Sequence, residues 1–433
     1  MRDVILFAII LTSLPLSFLK PHVGIYFWYW ITFMNPHRFT YGFMYSFPVA
    51  LLSGSATMAG ALLVRRKAPI LQAPEMVILL TMTVLFTFNT VLALFPTAWA
   101  EWEKVIKVLI MTFFTVALID TRPKLRILLM VTVLSIGFVS CKGAIWGVMT
   151  GGQYRLWGPE GSALEDNNSM ALALNVTIPM ALFLAKTELR PRVRLVFLAI
   201  ALFSLFGVVL TYSRGGLLGL AAVLTLLTYR ARRNLGLVFL VIVTCAAVLA
   251  FIPSSWYDRM KTIETYEKDD SAMQRIETWH FAWDLALKRP LTGGGFEGFR
   301  ANPSQGRNPH SIYFGMLGEQ GFVVFFLFIA LLASCYTGLG RIEKRTRGRP
   351  ELSWYTDLAS MLRVSLVAYM VSGAFLNLQY FDLFYLVVAL VAIMRYLVRV
   401  ESAALASAPG APKPAPVKRQ VRWGPERTSP QSA

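Results

Sequence analysis

The chain has 433 residues, of which 56% are hydrophobic and 15% charged, and its mean hydropathy is +0.55. This composition excludes a soluble globular protein, because too little polar surface is available to cover one of this size. Repeated apolar runs of roughly 17–25 residues match a bilayer core about 30 Å thick. We therefore expect an all-α polytopic membrane protein.

The net charge of +18 arises from 42 Lys and Arg residues against 24 Asp and Glu residues. A nucleic-acid-binding protein would gather its basic residues on one folded face, and here they occur in short loops between apolar runs, so no nucleic-acid partner is expected. Such loops are typical of the cytoplasmic side of a membrane protein. The basic clusters are at 65–67, 122–126, 190–194, 230–233 and 341–349.

With these clusters in the cytoplasm, the apolar runs predict about twelve transmembrane helices and place both termini inside. No cleavage pattern follows the first run, so it is expected to be a retained helix. The three cysteines fall in separate spans and predict neither a disulfide nor a metal site. The predicted helices are at 3–19, 46–64, 75–96, 101–119, 124–149, 167–186, 194–211, 214–230, 235–251, 311–338, 357–378 and 381–398.

Residues 22–34, HVGIYFWYWITFM, are rich in Tyr and Trp but form a short run. If they crossed the membrane, the alternation of sides would change and cluster 65–67 would lie outside. We therefore expect an interfacial aromatic helix on the outer face.

The pattern divides the chain into four regions. Residues 1–251 carry about nine transmembrane helices, 252–310 form a large helical loop outside the cytoplasm between helices nine and ten, and 311–400 carry about three more helices. The tail 401–433 is rich in Pro, Ala and basic residues, which predicts a disordered cytoplasmic segment.

The large loop is expected to be folded, since it contains eight acidic and eight basic residues. Residues 271–289 read as an amphipathic helix that Pro290 ends. The run Gly293-Gly294-Gly295 then predicts a flexible connection towards His310. The residues at helical spacing are Ile276, Trp279, Trp283 and Leu287.

Two arginines on the outer side are candidates for binding an anion. Arg214, in TYSRGG, lies between two apolar runs, where charge costs about 2.5–3.5 kcal/mol if it reaches the helix centre. The alternative is that Arg214 extends to lipid head groups. Arg275 lies on the loop helix, and its alternative role is an ion pair with Glu277 on a solvated face.

His310 is the candidate general base. It follows Asn308-Pro309 at the start of the next helix, and a helix N-terminus disfavours imidazolium. A neutral imidazole can accept a proton near pH 7. The alternative is a hydrogen-bonded interfacial histidine that takes part in no reaction.

Two acidic residues receive structural roles. Glu319 is expected on the side of its helix away from His310, as a partner for an intramembrane donor such as Lys142. Asp166 is expected to cap the helix that begins at 167.

Sequence motifs for nucleotide or metal binding are lacking, so no cofactor is expected. Arginines without a metal suit a lipid-linked phosphate or pyrophosphate, because the guanidinium group binds phosphate oxygens with paired hydrogen bonds.

These features together resemble the O-antigen ligase superfamily of bacterial membrane proteins. The resemblance rests on the turn Ser213-Arg214-Gly215-Gly216, the large outer loop, and the segment Asn308-Pro309-His310-Ser311 that leads to Gly318-Glu319-Gln320-Gly321. The N-terminal part and the tail are most similar to the exosortase-associated O-glycosylation ligases.

The resemblance implies a GT-C-like glycosyltransferase of the bacterial inner membrane. Such an enzyme moves a glycan from undecaprenyl pyrophosphate to a sugar hydroxyl of lipid A core at the periplasmic face, with inversion. By position, His310 would be the base, Arg214 and Arg275 would bind the pyrophosphate, and Arg155, Arg300 and Tyr212 would complete the substrate site. O-antigen polymerases and protein O-oligosaccharyltransferases share the domain, so both stay open. A transporter of a lipid-linked anion is a more distant alternative.

Overall fold

The computed structural model describes residues 1–65, 67–231, 270–302 and 308–407. These residues form thirteen α-helices and short 3₁₀ turns, with no strand among them. The helices are α1 Arg2–Leu19, α2 Pro21–Met34, α3 Val49–Leu63, α4 Pro74–Val91, α5 Ala98–Leu118, α6 Arg122–Met149, α7 Asn167–Thr187, α8 Pro191–Leu210, α9 Arg214–Ala231, α10 Asp270–Lys288, α11 Ile312–Thr346, α12 Ser353–Gly373 and α13 Asp382–Ser407.

Among the described residues, seven helices are long and apolar enough to cross a membrane, namely α1, α4, α6, α7, α8, α11 and α13. The chain is therefore a polytopic membrane protein. Helices also form at the other predicted spans within these residues. The predicted helix at 235–251 and the tail from 408 onwards lie outside them. The described residues up to Val398 form one compact unit.

Local sequence sets where several helices begin. Proline occupies one of the first two positions of α2, α4, α6 and α8, where its missing N–H is not needed for a helical hydrogen bond. The carboxylate of Asp166 accepts hydrogen bonds from the backbone N–H groups of Asn168 and Ser169, both at 2.9 Å. The predicted cap of α7 is confirmed, and α7 itself lies almost wholly buried between α6, α8, α9 and α12.

The basic loops gather at one end of the bundle, which we call the basic end. Ion pairs, hydrogen bonds and one cation–π contact link loops and helix ends that are far apart in sequence. The ties are Arg126 to Glu188 (2.7 Å), Lys186 to Asp357 (2.8 Å), Arg122 to the Trp354 ring (4.9 Å), Ala68 N–H to Ala117 O (3.0 Å) and Arg230 to Ser360. Arg66, Arg232 and Arg233 lie outside the described residues.

Loop 150–166 and the α8–α9 turn lie at the opposite end, which we call the site end. The 28 residues of α6 separate the two ends by about 42 Å. The arrangement of the basic clusters is the one expected for loops that share one side of a membrane.

Helix α2 differs from the prediction of an interfacial helix. It packs against α1, α3 and α6, and buries Trp28 and Tyr29. The Tyr26 hydroxyl donates to the carbonyl of Lys124 near the start of α6, whereas Asn35, just after α2, hydrogen-bonds to the carbonyl of Glu160 in loop 150–166. Its aromatic side chains are therefore a packing face within the bundle, and its two ends contact the start of α6 and loop 150–166.

The N-terminus therefore lies at the site end, not at the basic end as expected. Asp3 accepts a hydrogen bond from the backbone N–H of Gly42 (3.0 Å), and Gly42 follows α2. Cluster 65–67 still lies at the basic end, because α1 and α2 form an antiparallel pair around Lys20.

Candidate functional site

The α8–α9 turn presents Arg214 as the first residue of α9, partly buried at the site end. Tyr212, just before it, has φ +57, a conformation that non-glycine residues adopt at a cost, and its hydroxyl donates to the carbonyl of Gly152 (2.7 Å). The Ser213 hydroxyl accepts from the N–H of Gly216 (3.0 Å) and caps the helix. The turn is therefore held rigidly in one shape.

Loop 150–166 lies beside this turn. The N–H of Leu156 donates to the carbonyl of Leu210 (2.9 Å), and the side chain of Asn167 donates to the carbonyl of Thr211 (2.7 Å). Arg155, next to Leu156, is exposed. The structure thus brings Arg155, Tyr212 and Arg214 into one neighbourhood.

His310 directly precedes Ser311, the N-cap of α11, and its φ is +45. The segment is fixed by α10, because the Trp279 indole N–H donates to the carbonyl of Pro309 (2.7 Å) and the Trp279 ring stacks on Phe314 at 5.0 Å. The imidazole remains exposed at the surface. These contacts with α10 hold His310 at the helix N-terminus, where the sequence predicts it, in spite of its strained backbone conformation.

The surroundings of His310 keep it neutral. Partial burial lowers the pKa of the imidazole below 6.5, the charge of Arg275 lowers that pKa further, and the carboxylate of Asp166 acts in the opposite direction. Arg275 lies one helical turn before Trp279 on α10. His310 therefore shares a site with a cation from α10 and an anion from the start of α7.

The starts of α9 and α11 both pack against the end of α12. A methyl group on Gly219 would come within 1.8 Å of the Ser372 hydroxyl, and one on Gly373 within 2.7 Å of Ile312. A methyl group at either position would therefore force the facing side chain on the neighbouring helix to move. Arg214 and His310 thus lie at the same end of the bundle, on either side of α12.

Arg300 is less favourably placed. It is exposed and pairs with Glu297 at 3.0 Å on a short 3₁₀ turn. A substrate phosphate would have to compete with that carboxylate for the guanidinium group.

The predicted pairing of Glu319 with Lys142 is wrong. The ammonium group of Lys142 lies over the Phe39 ring at 5.0 Å. Glu319 instead accepts hydrogen bonds from Gln379 (3.1 Å) and Tyr380 (3.0 Å). These partners lie 60 and 61 residues away along the chain, so helical spacing gives no sign of them.

The run 293–295 is a bonded turn and not the flexible connection expected. Gly294 and Gly295 donate their N–H groups to the carbonyls of Gly318 and Glu319 at 2.9 and 2.8 Å. A methyl group on Gly293 would come within 2.6 Å of the Gly318 carbonyl oxygen. The glycines are needed for this close contact with α11.

Helix α10 occurs at the predicted place, but its predicted apolar face is largely open. Ile276, Trp283 and Leu287 are 37%, 48% and 58% exposed. Trp279 and Trp283 nevertheless contact Phe314 and Phe322 of α11 at one edge of this face. The neighbouring side carries Ala282, which packs against α11, and Leu285, which packs against the glycine turn. A groove of about 290 Å³ runs along the open face, lined by Ile276, Trp279, His280, Trp283 and Phe314. Residues 252–269 and 303–307 of the large loop lie outside the described residues.

In the part of the chain that the structure describes, His, Cys, Asp and Glu side chains form no cluster of three or more suited to a metal ion.

Comparison with known families identifies two segments of the chain. Residues 197–329 match the family described as O-antigen ligase, and residues 1–189 match a family of unknown function. No curated protein matches the chain. The first segment contains Arg214, Arg275 and His310, so the resemblance drawn from their motifs is confirmed at the level of the superfamily.

Proposed function

Since residues 197–329 form a domain of the O-antigen ligase superfamily, we propose that the chain is a glycosyltransferase of the inner membrane whose site faces the periplasm. Its donor would be a glycan on undecaprenyl pyrophosphate, and its acceptor a sugar hydroxyl of lipid A core. What supports the proposal is the position of His310 at a helix N-terminus, at the same end of the bundle as Arg214, where burial and the charge of Arg275 lower its pKa.

In this mechanism, an imidazole nitrogen of His310 accepts the proton of the acceptor hydroxyl. The hydroxyl oxygen attacks the anomeric carbon of the donor, and the bond from that carbon to the pyrophosphate oxygen breaks. Attack from the side opposite the leaving group inverts the configuration. No nucleotide or metal is required, since the donor already carries its leaving group.

The two arginines would stabilise the leaving pyrophosphate. Guanidinium groups form paired hydrogen bonds to phosphate oxygens, and these bonds strengthen as charge develops on the leaving group. Arg155 and Tyr212, beside Arg214, would position the donor. Arg300 has the weakest support of the set, because Glu297 already binds it.

The test is transfer by the purified full chain in nanodiscs, with a lipid-linked donor and lipid A core. We expect His310→Ala to lower the rate by about 10²–10⁴-fold, the usual contribution of a general base. Arg214→Gln and Arg275→Gln should each lower it by about 10²-fold or more. His280→Ala is the matched control, because it removes an exposed histidine from the same loop.

Full transfer by His310→Ala would refute the assignment of the base. Offering free glycan or a pilin-like protein in place of lipid A core tests the acceptor. Extension of either one, without transfer to lipid A core, would identify a polymerase or a protein O-oligosaccharyltransferase with the same donor.

A further inference from the structure

Helix α11 is interrupted nine residues after it begins. Gly321 has φ +75 and ψ 179, which is outside the helical region. The turn after α10 enters this break: the N–H of Phe322 donates to the carbonyl of Pro290 (2.8 Å), and the carbonyls of Gly318 and Glu319 accept from the turn. Backbone groups that a continuous helix would pair internally are thus satisfied by the turn.

The Glu319 carboxyl group joins three parts of the chain at this break. One oxygen accepts from the backbone N–H of Glu297 in the turn (3.2 Å). The other accepts from Gln379 and Tyr380, in the segment between α12 and α13. Glu319 is only 6% exposed, so each of these hydrogen bonds is shielded from water.

Two further side chains extend the network to α4. The Asn89 amide donates to both the carbonyl (3.1 Å) and the side-chain oxygen (3.0 Å) of Gln320, and Gln320 donates to the Tyr380 hydroxyl (2.9 Å). Asn89 and Gln320 are almost completely buried. The ring of Phe296, from the turn, packs between Phe86 and Tyr380. We call Asn89, Glu319, Gln320, Gln379 and Tyr380 the polar lock.

We propose that Glu319 is a positioning residue, and that the polar lock sets where α10 holds Arg275 relative to His310. The turn follows α10 after only one residue, Arg289, so fixing the turn at α11 fixes the end of α10. Helix α10 is also held by ring contacts of Trp279 and Trp283 with α11, and by the bond from Trp279 to Pro309, next to His310. This inference rests on the proposed function, because it assigns the lock a part in the same reaction.

A purely structural role makes a different prediction. If the lock only stabilised the bundle, its loss would reduce the amount of folded protein but leave the site of each folded molecule unchanged. Glu75 offers the control, since its buried carboxylate pairs with Arg395 (2.7 Å) and accepts from Ser334 of α11 (2.8 Å), far from the turn. Glu75→Gln should weaken the bundle without displacing α10.

The experiment compares Glu319→Leu, Tyr380→Phe and Glu75→Gln in the full chain in nanodiscs. The first readout is the distance between nitroxide labels at the exposed positions Met273 on α10 and Met149 at the end of α6, measured by pulsed EPR. We expect the distance distribution to shift or broaden in Glu319→Leu, to change less in Tyr380→Phe, and to stay as in the parent in Glu75→Gln.

The second readout is the acidic limb of the rate against pH. Arg275 and Asp166 are the charged groups that face His310, and they act in opposite directions. If Glu319→Leu displaces Arg275, the pKa of His310 rises. The acidic limb should then move to higher pH by at least about 0.3 pH unit, which is a twofold change in the ionisation constant. The rate at pH 7 should fall by about tenfold in Glu319→Leu, which corresponds to about 1.4 kcal/mol of lost transition-state stabilisation.

An unchanged distance distribution in Glu319→Leu overturns the inference, and so does an unmoved limb in a variant whose rate has fallen. If His310→Ala retains full transfer, the proposed function fails. The distance measurement then decides alone whether the lock positions α10.

Discussion

Gly321→Ala tests whether the break in α11 depends on glycine. At φ +75 and ψ 179 only glycine is free of steric strain, and forcing another residue there costs about 1–3 kcal/mol. The new methyl carbon would also lie 2.7 Å from the carbonyl oxygen of Pro290. Moving that carbonyl away weakens its hydrogen bond to Phe322, worth about 1 kcal/mol. We expect a total loss of about 2–4 kcal/mol in the free energy of unfolding.

The assay is denaturant or thermal unfolding of the purified chain in one detergent, followed by helical circular dichroism. Gly340→Ala, later in the same helix, is the matched control: its backbone φ is not positive, and the nearest atom to the added methyl is 3.8 Å away on Arg363. This control should be neutral or stabilising by up to about 1 kcal/mol, since alanine is the better helix former. Equal stability of the two variants would refute the reasoning.

Three other outcomes are expected. Asp166→Asn keeps the cap of α7 but removes a charge that raises the pKa of His310. The acidic limb of the plot of transfer rate against pH should therefore move to lower pH, with little change in the free energy of unfolding. A limb that moves to higher pH would contradict the electrostatic argument. In a chain whose native cysteines are replaced, we introduce one cysteine at Val4 or one at Arg349 and add a membrane-impermeant maleimide to one side of the membrane. The two cysteines should react from opposite sides. If both react from the same side, α2 does not cross the membrane. Gly219→Ala should lower both stability and transfer, because the added methyl meets the hydroxyl facing it on α12; thermal unfolding beside a rate measurement checks this.

Helix positions follow well from the sequence, because runs of apolar residues of bilayer length admit few other structures. The sequence also predicts His310 at the start of a helix, from Asn308-Pro309 before it, and a helix that begins at Arg214, from the apolar run that follows. Such local signals predict where a helix begins and ends, but not which residues it contacts in other helices. Partners across the bundle, such as Tyr380 for Glu319, leave no periodic trace.

The expectations that the structure contradicts have physical causes. Counting basic loops cannot decide whether an uncharged 14-residue helix such as α2 crosses, because it adds no charge on either side. The run at 293–295 looked flexible because glycine permits many conformations, and its close fit against α11 selects one.

Helices α9 and α11 both pack against the end of α12, so mutations on the two helices are expected to influence each other. Ser372 and Gly373 are neighbours in the chain, yet one faces the helix of Arg214 and the other the helix of His310. A bulky residue at position 372 would displace α9, and one at position 373 would displace α11. Because the two positions are neighbours, either change would also shift the backbone of α12 against which the remaining helix packs. Changes on α9 and α11 should therefore not add independently, and a double-mutant cycle between the two helices should show coupling in the absence of direct contact.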